Sequence, residues 1–338
     1  MRNLTRFAVV LVLAALGWGV YWWIGAAATE RGIAAWLDAR RAEGWTAEVS
    51  ALDTRGFPNR FDTTFEDPTL ADPETEVAWS APWFQILSLS YKPTHVIAVW
   101  PQSQRLDLPD ATLDIASERL RASLEMGASA DLPWQRSVVE IAGLGLTSSN
   151  GWRASLADGQ IALRETPEAR GAPVYDLAFN LSGLAPESDA IATLRETMGL
   201  PEVIETLEAE LTVTWDKPWN LSAIDDRRPQ PRDVTLTRLA ARWGDLALAG
   251  DGAFTVDAAG TPTGTLTLEA TNWREILELA VATGALSEDV APLVTAALET
   301  LARLGGDPDR LDVPLRFARG FTLLGPVPIG AAPVIALP

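Results

Sequence analysis

An uncharged apolar run near the N-terminus constrains this chain more than any other feature. Arg2 and Arg6 are followed by FAVVLVLAALGWGVYWWIGAAA, residues 7–28, which contains no charged side chain. A helix needs about 20 apolar residues to cross a bilayer, so the run is long enough to be a transmembrane segment. The basic residues before it favour a cytoplasmic tip at residues 1–6. We therefore predict a single-pass anchor at residues 7–28 and an exported domain at residues 29–338.

A cleaved signal peptide is the alternative interpretation of the same run. The small residues Ala26, Ala27 and Ala28 offer a cleavage site, and cleavage near Ala28 would give a secreted protein. Against cleavage, the run is longer than the apolar region of a signal peptide, which has about 7 to 15 residues. Aromatic residues at 18 and 21–23 also resemble the belt found where a helix leaves the membrane. We favour the anchor and expect a protein of the bacterial inner membrane with its C-terminal domain in the periplasm.

Alternation of apolar and polar residues marks several strands of the exported domain. TLEAELTVTW, residues 206–215, and YDLAFNL, residues 175–181, both follow a period of two. Such alternation is typical of antiparallel sheets with one face in water. The same alternation and the absence of a Gly-rich phosphate loop argue against a Rossmann-like fold. Before the strands, a helix is expected to continue from the membrane over Thr29–Glu43.

Two further helices are indicated in the C-terminal third. Asn272 can cap the segment WREILELAVATGAL, with Glu275 completing a capping box. A second helix should run from near Pro292 to Leu304, where Gly305 and Gly306 follow it. The apolar faces of these two helices must be buried, and we expect them to pack on a sheet. We predict an α+β, mainly β fold: a long curved antiparallel sheet with helices packed on it, preceded by the transmembrane helix.

The stretch GFPNRFDTTFE, residues 56–66, is interpreted as a structural turn that leads into a strand. Phe57, Phe61 and Phe65 share one parity, which indicates a half-buried strand. Gly56 allows the turn, and Pro58 cannot donate a ladder hydrogen bond, so we expect the strand to begin at a sheet edge. On the polar face, Arg60 and Asp62 are spaced for an ion pair. The predicted turn motif comprises Gly56, Phe57, Pro58, Arg60, Phe61 and Asp62.

Composition excludes several classes of function. The 45 acidic against 27 basic residues give a net charge of −18, which repels nucleic acid, so no nucleic acid partner is expected. The chain has no Cys and one His, His95, in an apolar strand-like run. Thiolate chemistry and His-rich metal sites are therefore excluded, and we expect no metal, cofactor or catalytic residue. The sequence gives no indication of protein partners.

Tryptophan is the most conspicuous residue type in the exported domain. An apolar ligand groove is one interpretation of these residues, and filling of an ordinary core is the other. The candidate groove residues are Trp79, Trp83, Trp100, Trp134, Trp215 and Trp219. The leading hypothesis is a membrane-anchored envelope protein that binds a lipid or another apolar ligand in this groove. The alternatives are an envelope hydrolase that uses an Asp/Glu pair and a passive envelope scaffold; a non-enzymatic protein is favoured.

Two internal echoes raise the hypothesis of a loose duplication, about residues 45–170 and 171–338. WSAPW and WDKPW share the pattern Trp-x-x-Pro-Trp, and WRASLADG resembles WGDLALAGDG. Chance recurrence of Trp-rich strands and Asp-Gly turns is the alternative. If the halves are related, Pro82 and Pro218 should each end or bend a strand, and Trp83 and Trp219 should be buried equivalently.

The chain also resembles a known family. The Gly-Phe-Pro-x-Arg-Phe-Asp turn behind an N-terminal anchor and the C-terminal segments NWREILELAVATGAL and PLRFARGFTLLGPVPIGAAP are similar to the alphaproteobacterial domain of unknown function 2125. This family has no established activity, so the resemblance implies location and architecture but no mechanism. A more distant resemblance, at the level of fold, is to AsmA-like envelope proteins, which implies β-sheets with apolar grooves for lipid.

Overall fold

A computed structural model describes residues 2–225 and 227–337. The chain divides into two compact units. The first comprises the chain up to Met126 together with Gly143–Gly151, and the second comprises Gly127–Ala142 and the chain from Trp152 onward. The fold is mainly β, with antiparallel sheet, a long apolar N-terminal helix and a few shorter helices, which confirms the predicted fold class.

A single uninterrupted helix, α1 (Arg2–Ala42), begins the first unit. It contains no proline, and it joins the apolar run to the predicted helix at Thr29–Glu43 without a break. Its N-terminal part is long and apolar enough to cross a membrane, and that stretch is not buried by the rest of the protein. Gly44, with φ of +91°, follows the helix where the chain turns into the strands.

The strands of the first unit are short and are joined in two ladders. Their bounds are β1 Thr46–Glu48, β2 Ala51–Arg55, β3 Arg60–Glu66, β4 Thr69–Asp72, β5 Val77–Ser80, β6 Trp83–Leu89, β7 Lys92–Trp100, β8 Ser103–Leu108, β9 Ala111–Ala116, β10 Arg119–Met126 and β11 Trp134–Ser148. One ladder has the antiparallel order β1–β4–β5–β8–β9–β11, of which β11 contributes residues 145–148. The other has the order β2–β3–β6–β7–β10.

Prolines stand where the chain passes from one ladder to the other. Pro68 separates β3 from β4, Pro82 separates β5 from β6, and Pro101 separates β7 from β8. A proline has no N–H to donate to a ladder, so it suits the position where a strand leaves its neighbours. Backbone hydrogen bonds join two of these corners, from Asp67 N to Pro82 O (3.1 Å) and from Ala81 N to Pro68 O (3.2 Å). Pro82 therefore bends its strand, as the sequence predicted.

The phenylalanines of the turn stretch do not all share one environment. Phe61 and Phe65 are buried, with Thr63 buried between them. The prediction was wrong for Phe57, which is 59% exposed because it lies in the turn before β3 begins. It was also wrong about the sheet edge, because β3 pairs with β2 on one side and β6 on the other. Pro58 lies in the turn, outside the ladder, so it removes no hydrogen bond from β3.

The second unit is built from longer strands in a simple meander. Its strands are β11 in part, β12 Arg153–Glu165, β13 Val174–Glu187, β14 Ile204–Trp215, β15 Pro231–Trp243, β16 Leu246–Val256, β17 Pro262–Thr271, β18 Arg310–Ala318, β19 Phe321–Leu324 and β20 Val327–Ala331. From β12 to β20, each strand pairs antiparallel with the next. Segments 206–215 and 175–181 lie in β14 and β13, which confirms the strands predicted from alternation.

Helices cover one part of this sheet. They are α2 Asp189–Met198, α3 Ser222–Asp225, α4 Trp273–Ala282 and α5 Ala291–Gly305. Trp273, Val294 and Leu298 from α4 and α5 pack in one core with Leu311 and Val313 of β18. The predicted helix from Pro292 to Leu304 is confirmed, with Gly306 as its left-handed C-cap.

The predicted capping box at Asn272 does not form. Asn272 has φ of +55°, and its side chain makes no cap hydrogen bond. Its Nδ2 donates instead to Asp245 O at 2.8 Å, and its backbone N–H donates to Asp309 O. The prediction was wrong because the amide side chain joins the β15–β16 turn to the start of the helix, a long-range contact that the local spacing cannot reveal.

The two Trp-x-x-Pro-Trp segments lie in different local structures. Trp83 opens β6 directly after a corner, whereas Trp219 lies outside any strand, beyond the end of β14. Both rings are half-buried. In addition, β12 and β13 pair along most of their length within the second unit, on either side of the proposed boundary near residue 170. The duplication itself stays a prediction.

Candidate apolar ligand cavity

A cavity of about 480 Å³ lies in the first unit, between α1 and both ladders. Every residue that lines it is apolar or aromatic. The lining residues are Ile33, Trp36, Leu37, Val49, Phe65, Pro68, Leu70, Trp79, Phe84, Ile86 and Trp100. Its volume falls within the range of about 300–1,000 Å³ that is usual for small-molecule sites. The cavity is therefore large enough to accommodate an apolar group of considerable size.

Aromatic rings in contact form one wall of the cavity. Phe84 lies at their centre, with ring centroids 5.5 Å from Phe65, 5.9 Å from Trp79 and 5.2 Å from Trp100. These distances are those of favourable tilted and edge-to-face pairs. The indole N–H of Trp79 donates to Gln104 Oε1 at 3.0 Å, so its polar group is satisfied by the protein. The ring itself remains free to contribute apolar surface.

The wall opposite the strands comes from α1. Ile33, Trp36 and Leu37 are spaced three and four residues apart and so share one face of the helix. Leu37 is only 4% exposed, whereas Trp36 is 48% exposed. The guanidinium of Arg40 lies 5.8 Å from the Trp36 ring, within the range of a cation–π contact. Trp36 therefore marks the rim of the cavity, with a cation beside it.

Contacts nearer the N-terminus fix α1 against the strands. Trp18 Nε1 donates to Pro58 O, Trp22 Nε1 donates to Arg60 O, both at 2.7 Å, and the Tyr21 hydroxyl donates to Ser90 O at 2.6 Å. The Trp22 ring also contacts Phe57 and Phe61. The predicted turn motif thus lies against the helix.

Two glycines make this close approach feasible. A Cβ on Gly25 would lie 2.5 Å from the Phe61 ring, so only a glycine lets the ring reach the helix backbone. Gly56 has φ of +106°, which L side chains rarely adopt. Within the motif, Arg60 Nε donates to Asp62 Oδ1 at 3.0 Å, the ion pair that the spacing predicted.

The candidate groove residues are distributed over separate places. Trp79 and Trp100 line the cavity of the first unit. Trp83 is not among its lining residues. Trp134, Trp215 and Trp219 belong to the second unit, where Trp219 packs edge-to-face on both of the others at 5.7 and 5.2 Å. The contribution of α1 to the cavity was not predicted. Ile33, Trp36 and Leu37 form an apolar stripe on the helix, and their spacing in the sequence is the signal that could have revealed it.

The three tryptophans of the second unit pack against one another beside a hydrophobic core. Trp215 is 8% exposed and packs with Tyr175, Val213 and Val234. The three indole N–H groups are buried, and none has a hydrogen-bond partner among the described residues. Edge-to-face packing brings the positive edge of one ring to the negative face of another, which stabilises such rings without an acceptor. Burial raises the pKa of the neighbouring Tyr175 hydroxyl.

Two polar clefts also occur in the second unit. The larger, about 730 Å³, is lined by carboxylates and arginines together, among them Glu208 and Arg238, which form an ion pair at 2.9 Å. The smaller, about 470 Å³, contains Asp176. Burial alone would raise the pKa of Asp176, but hydrogen bonds from Thr166, Arg164 and Thr212 outweigh it and hold that pKa below its ordinary value. A carboxylate of this kind suits an ion pair and not a proton donor, so Asp176 itself gives no support to the hydrolase hypothesis.

A sequence profile described as "Uncharacterized protein conserved in bacteria (DUF2125)" matches residues 22–333. The chain belongs to the DUF2125 family. The match begins within α1 and covers both units, so the DUF2125 region includes the helix segment that forms the cavity wall. Searches of curated proteins and of solved structures gave no match. The alphaproteobacterial origin and the more distant AsmA-like relation stay predictions.

Proposed function

We propose that this DUF2125 protein is a single-pass membrane protein whose first unit holds an apolar chain, such as the acyl chain of a lipid, in the cavity beside α1. The observation that carries the proposal is the apolar and aromatic lining, whose side chains carry no charge and give a polar substrate little to bind. Burial of hydrocarbon there is favourable by about 0.8 kcal/mol per CH₂ group. We place the exported units in the periplasm on the basis of the basic residues before the apolar run.

The position of the cavity along α1 supports a membrane source for the ligand. The uncharged run ends at residue 28, and Ile33 and Leu37 follow on the same helix. At about 1.5 Å per residue, these side chains lie about 8 to 14 Å beyond the end of the run. A lipid chain leaving the outer leaflet along α1 therefore meets the exposed ring of Trp36 about 20 Å beyond Trp23 on the same helix.

The contacts of α1 also favour an anchor that is retained. Trp22 and Gly25 pack on Phe61, and Ala26 is only 6% exposed. Cleavage near Ala28 would remove these residues from the folded unit and uncover Phe61. Intact mass measurement of the protein recovered from bacterial membranes tests this step: residues 7–28 are expected to be present, and a mass corresponding to a start near residue 29 would favour the secreted alternative.

Photo-crosslinking in membranes tests ligand binding. The full chain is reconstituted with a phospholipid whose acyl chain carries a diazirine, and crosslinked peptides are identified by mass spectrometry. We expect crosslinks on the cavity strands, near Phe84, Ile86 or Trp100, in addition to those on the membrane segment. Crosslinks confined to residues 7–28 would contradict the proposal.

A matched pair of variants sharpens this test. Val49 lines the cavity, so Val49→Trp should occupy part of it and reduce the crosslinks on β6 and β7. Ala51 lies two residues on and is exposed, so Ala51→Trp adds the same ring without entering the cavity. Equal loss in both variants would show that the effect is not occupancy of the cavity.

A further inference from the structure

The two hairpin tips nearest α1 carry exposed aromatic side chains. Phe57, in the β2–β3 turn, is 59% exposed, and Tyr91, in the β6–β7 turn, is 64% exposed. Backbone hydrogen bonding joins the tips, since Ser90 N donates to Asn59 O at 3.0 Å. The same tips accept the hydrogen bonds of Trp18, Tyr21 and Trp22 of α1. The level of the tips along the helix is therefore fixed.

The length of helix that precedes these contacts is too short to cross a bilayer by itself. Charged side chains are costly in the hydrocarbon core, so Arg2 and Arg6 belong at its inner boundary. Even when counted from Arg2, the segment that ends at Gly17 measures only about 24 Å at 1.5 Å per residue. The hydrocarbon core is about 30 Å thick. To span it, α1 must also use residues from Trp18 onward, and the tips are bound to those residues.

We propose that the hairpin tips around Phe57 and Tyr91 enter the outer interface of the same membrane that α1 spans. The inference rests on the anchor of the proposed function but not on its ligand. Aromatic rings are favoured at the headgroup level, and the tips would join Trp18 and Trp23 of α1 in one aromatic belt. The occupant of this surface is thus the lipid interface, continuous with the lipid around the helix.

Cationic side chains beside the tips fit the same level. The side chains of Arg60 and Lys92 are 51% and 46% exposed, and they pair with Asp62 and Glu125. Long basic side chains can lie along apolar surface while their charged ends reach the headgroups. Each of the two cations is paired with a carboxylate, so these positions add no net negative charge to the tips, although the chain as a whole is acidic.

Single-site fluorescent labelling measures the depth of the tips. Because the chain has no cysteine, a full-length variant with one introduced cysteine carries one probe. Asn59→Cys and Tyr91→Cys report on the tips, and both leave the Phe57–Trp22 contact in place. Leu13→Cys reports on the middle of the apolar run. Glu74→Cys, in the exposed β4–β5 turn, is the matched control in water.

The labelled proteins are reconstituted in phosphatidylcholine vesicles that contain lipid with a nitroxide quencher near the headgroup or along the acyl chain. We expect blue-shifted emission and headgroup-level quenching at Asn59 and Tyr91, acyl-chain quenching at Leu13, and neither at Glu74. If Leu13 is quenched while the tips behave like Glu74, the inference is overturned and the anchor stands. If Leu13 is not quenched, the anchor and the inference both fail, whatever the crosslinking shows.

Discussion

The two units use tryptophan in different ways. In the first unit, Trp79 and Trp100 line a cavity, while in the second, Trp215 and Trp219 pack edge-to-face at a hydrophobic core. The strands of the first unit are short and turn at Pro68, Pro82 and Pro101, so two ladders and a helix must meet around a common space. From β12 onward, each strand of the second unit pairs with the next one in sequence, and α4 and α5 pack on the sheet to form a hydrophobic core. Strand corners therefore leave an apolar space beside the helix in the first unit, whereas the clefts described in the second unit are lined by charged and polar side chains as well.

The largest expected effect is on the hydrophobic core at Trp215 in the second unit. Trp215→Ala should reduce the free energy of unfolding by about 3–5 kcal/mol, because a buried large ring leaves a cavity behind. Trp79→Ala, in the first unit, should cost less, since part of that ring already faces a cavity. Denaturant unfolding of the full chain in detergent, followed by circular dichroism, measures both. Equal costs would mean that Trp79 is packed as tightly as Trp215.

Adding a large ring should also cost more stability in the second unit than in the first. Val213 is 5% exposed in the tryptophan core, so Val213→Trp should overpack it and cost about 1–3 kcal/mol. Val49→Trp fills existing space and should change the free energy of unfolding by about 0.5 kcal/mol or less. The same unfolding measurement applies. A larger loss for Val49→Trp than for Val213→Trp would reverse the comparison.

The smallest expected effect concerns two aspartates, one in each unit. Burial alone would raise the pKa of Asp216, but the Gln230 N–H and the charges of Arg227 and Arg232 outweigh it and lower that pKa. In the first unit, the Thr112 hydroxyl and Arg105 lower the pKa of Asp107. A lowered folded pKa stabilises the protein above the ordinary value, about 4, and this contribution is lost as pH falls through it toward the folded pKa.

We therefore expect Asp216→Asn to cost about 1 kcal/mol near neutral pH and to approach the parent protein below about pH 4. Asp107 has a side chain that is 42% exposed, against 14% for Asp216, so Asp107→Asn should cost less. Unfolding curves at pH 7 and pH 3.5 measure both differences. A gap that widens at low pH would show that Asp216 is not held in its ionised form.

The sequence predicted element types well, and spatial grouping poorly. Alternation identified β13 and β14, and the glycines after Leu304 located the end of α5, because these signals are local. Which ladder each half of a bent strand joins depends on pairing between distant segments, so Pro82 marked a corner without revealing its neighbours. Likewise, Trp79 and Trp215 were both predicted to line one groove, and nothing local in the sequence shows that they belong to different units. The contribution of α1 at Trp36 was not predicted, because an apolar stripe on a helix does not show which residues it packs against.

Because α1 is continuous, the apolar run is joined to the strands of the first unit by helix and not by a flexible linker. A flexible linker would let a domain search a volume around its point of attachment. Here the same rigid helix carries Tyr21 at one level and Leu37 at another, with no proline between them. The cavity consequently stays at a fixed distance from the apolar run, measured along the axis of α1. If the cavity binds an apolar ligand as proposed, it must take up that ligand within one layer beside the helix.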